Sequence, residues 1–100
     1  MGLTIALESE DGRKYEEIAD PANILHRLLP PANDSSWSVL GSIDWYGDTT
    51  FNRLQIPRFL SEWSRLKPMG AEDHNLLDRI AALARRVESE PHLYLKFYGD

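Results

Sequence analysis

Apolar residues recur at every second position from Leu3 to Leu7, which is typical of a β-strand that buries one face. The pair Asp11-Gly12 follows, and an Asp-Gly pair readily adopts the positive φ angles of a tight hairpin turn. Residues 14–18 are rich in charge, as expected of an edge strand that resists edge-to-edge aggregation. We therefore predict a β-hairpin at the start of the chain.

Three later segments place apolar side chains at helical spacing. In residues 20–29, Asp20 is a candidate cap and Pro21 suits the first helical position, and a proline pair then ends the helix. Residues 56–66 repeat one apolar helix face. Residues 72–87 begin with acidic side chains and end near basic ones, an order that complements the helix dipole. We predict a helix in each segment.

Two further segments have a strand pattern. Residues 37–43 place Trp37, Val39 and Ile43 on one face, and residues 92–98 alternate strictly. The predicted order is β-β-α-β-α-α-β. It indicates a single α+β domain over residues 1–100, a mostly antiparallel sheet of about four strands with helices packed on one face.

Composition excludes several classes of protein. The chain has 100 residues, a net charge of -5 and no Cys. This length allows one hydrophobic core, and the lack of Cys excludes a disulfide scaffold and cysteine-based metal sites. No apolar run approaches the roughly 20 residues that span a bilayer. We predict a cytoplasmic protein that does not associate with membranes.

The acidic balance also argues against a nucleic-acid partner, because the chain as a whole repels phosphates. Basic residues do cluster near the middle helix, but Glu62 and other acids lie among them. The cluster comprises Arg53, Arg58, Arg65 and Lys67. We interpret it as a solvated helix face. A net negative charge suits a basic protein surface better.

Few residues indicate catalysis. His26, His74 and His92 lie on separate elements without the spacing of metal ligands. Asp44 and Asp48 lie near apolar residues, but a chain with 16 acids places some pair there by chance. No Gly-x-Ser-x-Gly or phosphate-binding loop is present. We therefore predict no catalytic residue, no metal and no cofactor.

The loop at residues 44–53 is the strongest candidate site. Aromatic side chains there could give a partner contact area, while Asp48 and Arg53 orient it. The candidate binding residues are Trp45, Tyr46, Asp48, Phe51 and Arg53. A structural interpretation competes, in which Gly47 permits a turn, Trp45 and Phe51 fill the core, and Arg53 pairs with Asp48.

Residues 46–55 and 91–100, together with 26–30 and 56–66, resemble small uncharacterised bacterial proteins of similar length. The resemblance covers most of the chain. It implies a bacterial, cytoplasmic, stand-alone domain and assigns no role to any residue. Immunity proteins of toxin systems also include small acidic α+β domains, a likeness of class alone.

Three hypotheses follow. The first is a non-enzymatic protein-binding module, of the immunity or regulatory kind, that occludes its partner through the 44–53 loop. The second is a small enzyme or ligand-binding protein with a pocket between sheet and helices. That pocket would be lined by Trp37, Trp45, Trp63 and Tyr94, with polar groups from Asp44, Asp48, Arg53 or His92. The third is a homodimer formed through an unpaired edge strand.

Overall fold

Within residues 2–99, four strands form a single antiparallel sheet in the spatial order β2-β1-β4-β3. The computed structural model describes residues 2–99. The strands are β1 (Thr4–Ser9), β2 (Lys14–Ala19), β3 (Asp48–Phe51) and β4 (Leu93–Tyr98). The helices are α1 (Ile24–Leu28), α2 (Ile56–Trp63) and α3 (Ala71–Ser89). The predicted α+β class and element order are confirmed.

The amino-terminal hairpin forms as predicted. β1 pairs with β2, and Gly12 in the connecting turn has a φ of 88°. The chain's last strand, β4, then inserts between β1 and β3, with Ile5 opposite Phe97. This pairing places the beginning and end of the chain side by side in the centre of the sheet, and it leaves β2 and β3 at the edges.

One face of the sheet carries the hydrophobic core. Phe51 of β3 and Phe97 of β4 are almost fully buried, and their rings lie 5.4 and 6.0 Å from the ring of Phe59 in α2. Phe59 stacks in turn on Trp63 at 5.0 Å. Helix α3 packs against α2 and the two central strands. Burial of aromatic side chains and their mutual packing therefore fix the helices on this face.

The strand predicted at residues 37–43 is wrong. This segment forms turns and a short 3-10 helix, Leu40–Ser42, and the third strand is β3, inside the predicted loop. Apolar burial is still achieved, since Val39 and Ile43 are buried. The backbone N–H groups of Val39 and Leu40 donate to the carboxylate of Glu62 in α2, at 3.1 and 2.8 Å. The Glu62 carboxylate thus accepts hydrogen bonds that the backbone carbonyls of a neighbouring strand would accept in a sheet.

The first helix starts later than its cap suggested. α1 begins at Ile24, and Pro21 lies in a turn before it. Asp20 is buried, and its carboxylate accepts from Ile24 N at 2.9 Å and from Leu25 N at 2.8 Å. Asp20 does cap the helix, but it reaches across an intervening turn to do so.

Candidate functional site

A rigid turn precedes β3. The N–H of Asp44 donates to Thr49 Oγ1 at 2.8 Å, and Asp44 Oδ1 accepts from Tyr46 N at 2.9 Å. A Cβ atom at Gly47 would lie 2.7 Å from Asp44 Oδ2, so glycine leaves room for this carboxylate. Gly99 N then donates to Gly47 O at 2.7 Å. These hydrogen bonds fix the backbone of the turn that carries Trp45 and Tyr46.

Those aromatic residues form one wall of an apolar groove of about 680 Å³. The opposite wall comes from α1 and the residues that follow it. The groove is lined by Asn23, His26, Leu29, Pro30, Pro31, Ala32, Trp45 and Tyr46. The rings of His26 and Trp45 meet edge to face at 5.5 Å between centroids. Tyr46 stands at the rim, and 86% of its surface is exposed. A large exposed aromatic on a fixed turn beside an apolar groove is typical of a binding surface.

Asn23 also lines this groove. Its backbone is left-handed, with a φ of 58°, a conformation that asparagine tolerates better than most residues. Its Oδ1 atom is buried and accepts no hydrogen bond from the described residues. A buried acceptor without a donor is destabilising, and because the protein closes off the surface of this atom, Asn23 Oδ1 is not available to a molecule in the groove.

The five predicted binding residues do not form one surface. Trp45 and Tyr46 line the groove, and the exposed Asp48 follows them at the start of β3. Phe51 is only 1% exposed and packs in the core, so its inclusion in the contact surface is wrong. Arg53 is exposed but lies past the opposite end of β3, and it makes no ion pair with any carboxylate of residues 2–99.

The alternative aromatic pocket is not assembled. Trp63 is in the core, where its indole N–H donates to Leu77 O at 3.0 Å. Trp37 lies beneath the guanidinium of Arg65, 4.0 Å from ring centroid to charge. Tyr94 lies between the buried residues of β4, on the sheet face away from the helices. Only Trp45, of the four proposed lining residues, borders the groove.

The histidines stay apart. His26 lines the groove, His74 is exposed on α3, and His92 is exposed with its Nδ1 3.1 Å from Glu10 Oε2. Within the described part of the chain, no group of three or more His, Asp or Glu side chains is arranged to hold a metal ion. No helix in residues 2–99 has the length and apolar character needed to cross a membrane.

The sheet face away from the helices carries a polar cluster that the sequence did not indicate. Glu8 is 4% exposed, accepts a short hydrogen bond from the Tyr98 hydroxyl, and lies 3.5 Å from Lys96 Nζ. Lys14 Nζ lies 5.5 Å from the centroid of the Tyr98 ring. Burial and the hydrogen bond to Glu8 raise the pKa of Tyr98 to about 12. The hydroxyl therefore keeps its proton, and its hydrogen bond to Glu8, to a higher pH than an ordinary tyrosine.

Sequence reasoning missed the groove's second wall. The sequence predicts only a helix stop at the proline pair Pro30-Pro31, yet the pair also lines the groove. Proline has little freedom at φ, so this part of the wall is preformed. In comparisons with protein-family models, curated proteins and solved structures, no match to the chain was found.

Proposed function

We propose that the protein is a non-enzymatic binding module that holds a segment of a partner protein in the groove beside Tyr46. The observation that carries this proposal is the exposure of Tyr46 on a hydrogen-bonded turn at the rim of an apolar groove. Because the backbone of Tyr46 is fixed by the turn, complex formation orders little of the main chain, and a tyrosine side chain has few torsions to lose. Such residues contribute disproportionately to the affinity of protein interfaces.

The chemistry around the groove suggests the partner's character. The groove would take one apolar side chain of the partner. Asp44 and Asp48 are exposed near Tyr46, and neither forms an ion pair with a cation of the described residues. Together with the net charge of -5, they favour a partner with Lys or Arg beside its apolar anchor. Binding would act by occlusion, the mode expected of an immunity or regulatory protein in a bacterial cytoplasm.

Affinity capture from a lysate of the source organism tests the proposal, with retained proteins identified by mass spectrometry and then purified for calorimetry. We expect Tyr46→Ala to weaken binding of the partner by about 2 kcal/mol or more, roughly 30-fold in Kd. Comparison of the double variant Asp48→Ala/Arg53→Ala with Asp48→Ala distinguishes the contributions of the two charged residues. If both variants weaken binding equally, Arg53 lies outside the site.

Tyr15→Ala is the matched control, because Tyr15 is a partly exposed tyrosine on the edge strand β2. It should leave affinity unchanged. A purified partner that binds wild type and a folded Tyr46→Ala variant equally would contradict the proposal. Loss of binding in Tyr15→Ala with retention in Tyr46→Ala would move the site to the edge of the sheet.

A further inference from the structure

A second depression, of about 660 Å³, lies between residues 35–38 and the exposed side of α2. It differs from the groove because hydroxyls and guanidinium groups line it. The polar lining residues are Ser35, Ser36, Ser38, Arg58, Ser61, Glu62 and Arg65. Neither Arg58 nor Arg65 forms an ion pair with a carboxylate in the part of the chain that the structure describes.

Both guanidinium groups are oriented by the protein and still have free donors. Arg58 Nη1 donates to Ser38 Oγ at 3.2 Å, and Arg65 Nη1 donates to Ser36 O at 3.2 Å. Arg65 also lies on the ring of Trp37. A guanidinium has five N–H donors, and each of these two uses one of them for a hydrogen bond to a described residue. The remaining donors form no hydrogen bond with the described residues, and both side chains line the depression.

Two carboxylates near the depression, those of Glu62 and Asp34, would repel a bound anion, and both already accept hydrogen bonds from the protein. Glu62 is 6% exposed, and its oxygens accept from Ser38 Oγ at 3.0 Å and from two backbone N–H groups. Asp34 lies close enough to Arg65 to be influenced by its charge. Hydrogen bonds from the side chain and backbone of Ser36 lower the pKa of Asp34, and Oδ1 accepts both, at 2.7 and 3.0 Å. The Ser36 and Ser38 hydroxyls spend their protons on these carboxylates. The donors that remain are those of the two guanidinium groups and the hydroxyls of Ser35 and Ser61.

We propose that this depression binds a phosphate group, held by Arg58 and Arg65 with the hydroxyls of Ser35 and Ser61. A carboxylate can be satisfied by one guanidinium, whereas a phosphate monoester presents three terminal oxygens and suits two guanidinium groups with added hydroxyl donors. The site is separate from the groove beside Tyr46 and does not rest on the function proposed for that groove.

Titration of the ¹⁵N-labelled full chain with inorganic phosphate, O-phosphoserine and acetate tests this site by NMR. We expect saturable shifts confined to residues 35–38 and α2 for the two phosphates, with acetate binding more weakly. Arg58→Gln and Arg65→Gln should each weaken phosphate binding about tenfold, the loss expected for one charge-assisted hydrogen bond. Arg65→Lys should also bind phosphate more weakly, because lysine keeps the positive charge but lacks the planar set of N–H donors of a guanidinium.

Arg79→Gln is the matched control, since Arg79 is exposed on α3 and forms no ion pair with a described carboxylate. Equal affinity for the two phosphates would assign the site to the free ion, and tighter binding of phosphoserine would assign it to a phosphorylated side chain. Absence of saturable shifts with either phosphate would overturn the proposal. So would an equal loss of affinity in Arg79→Gln, which would indicate general charge attraction.

Discussion

Replacement of Glu62 by alanine tests the hydrogen bonds that hold residues 37–43, where the sequence predicts a strand and the structure has none. Glu62 is buried on α2, and its carboxylate accepts from Val39 N at 3.1 Å and from Leu40 N at 2.8 Å. Both donors belong to buried residues. In Glu62→Ala they lose their acceptor, while the hydroxyl of the exposed Ser38 can turn to water. The variant therefore isolates the cost of two unpaired backbone donors.

A buried donor left without a partner costs about 1–3 kcal/mol, and the exposed residues beside this segment allow partial hydration. We expect Glu62→Ala to lower the free energy of unfolding by about 2–4 kcal/mol. Glu62→Gln keeps one carbonyl acceptor and offers its amide to Ser38, so its loss should be about 1 kcal/mol. Since small domains are stable by roughly 5–15 kcal/mol, both variants should fold.

Urea denaturation followed by tryptophan fluorescence measures the effect, with unchanged m-values as the sign that both end states are comparable. Glu88→Ala is the control, because Glu88 is exposed on α3, and its effect should stay within about 0.5 kcal/mol. A Glu62→Ala variant as stable as this control would refute the reasoning. So would equal losses in Glu62→Ala and Glu62→Gln, which would attribute the effect to charge and not to the acceptors.

Two further predictions concern other polar contacts. Asp20→Ala should destabilise the protein by about 2–3 kcal/mol in the same assay, because Ile24 N and Leu25 N lose their carboxylate acceptor; an effect below about 0.5 kcal/mol would contradict the capping role. Tyr98 has a pKa raised to about 12 from 10.0 by burial and by its hydrogen bond to Glu8. The unfolded chain releases this proton first as pH rises above 10, so the contribution of Tyr98 to stability is complete below pH 10 and is lost toward pH 12. Tyr98→Phe should lose less stability than wild type over that interval, and titration at the tyrosinate absorption band should lack its latest step; identical profiles would argue against the shift.

The elements that could be predicted from the sequence are those whose cause is local. The alternation in β1, the Asp11-Gly12 turn and the helical periodicity of α3 each depend on residues within a few positions of one another. The sheet's class and element order followed from them. The register of β4 between β1 and β3 did not, because pairing partners such as Ile5 and Phe97 are far apart in the chain.

Residues 37–43 show why a strand was wrongly predicted there. Their apolar residues have a spacing that fits a strand, and most of them are buried. The backbone bonds that distinguish a strand from a loop depend on Glu62, more than twenty residues later, and sequence periodicity carries no signal for such an acceptor. The same limit applies to the candidate site. Trp45 and Tyr46 could be selected as aromatics in a polar loop, but their separation from Phe51 depends on where β3 begins.

The irregular chain between α1 and β3 contributes to both proposed sites. Its first part, residues 29–32, faces Trp45 and Tyr46, and residues 35–38 border the arginine depression. A segment without strand partners can hold such walls only if other groups fix it. Asn33 N donates to Gly41 O at 2.8 Å within the segment, and Glu62 anchors it to α2. The Glu62 carboxylate fixes the wall at residues 35–38 directly, through its hydrogen bond from Ser38 Oγ. The hydrogen bond from Asn33 N to Gly41 O ties the chain beside residues 29–32 to the same anchored segment. Because a preformed surface loses less conformational entropy on binding, these contacts favour ligand binding at both sites.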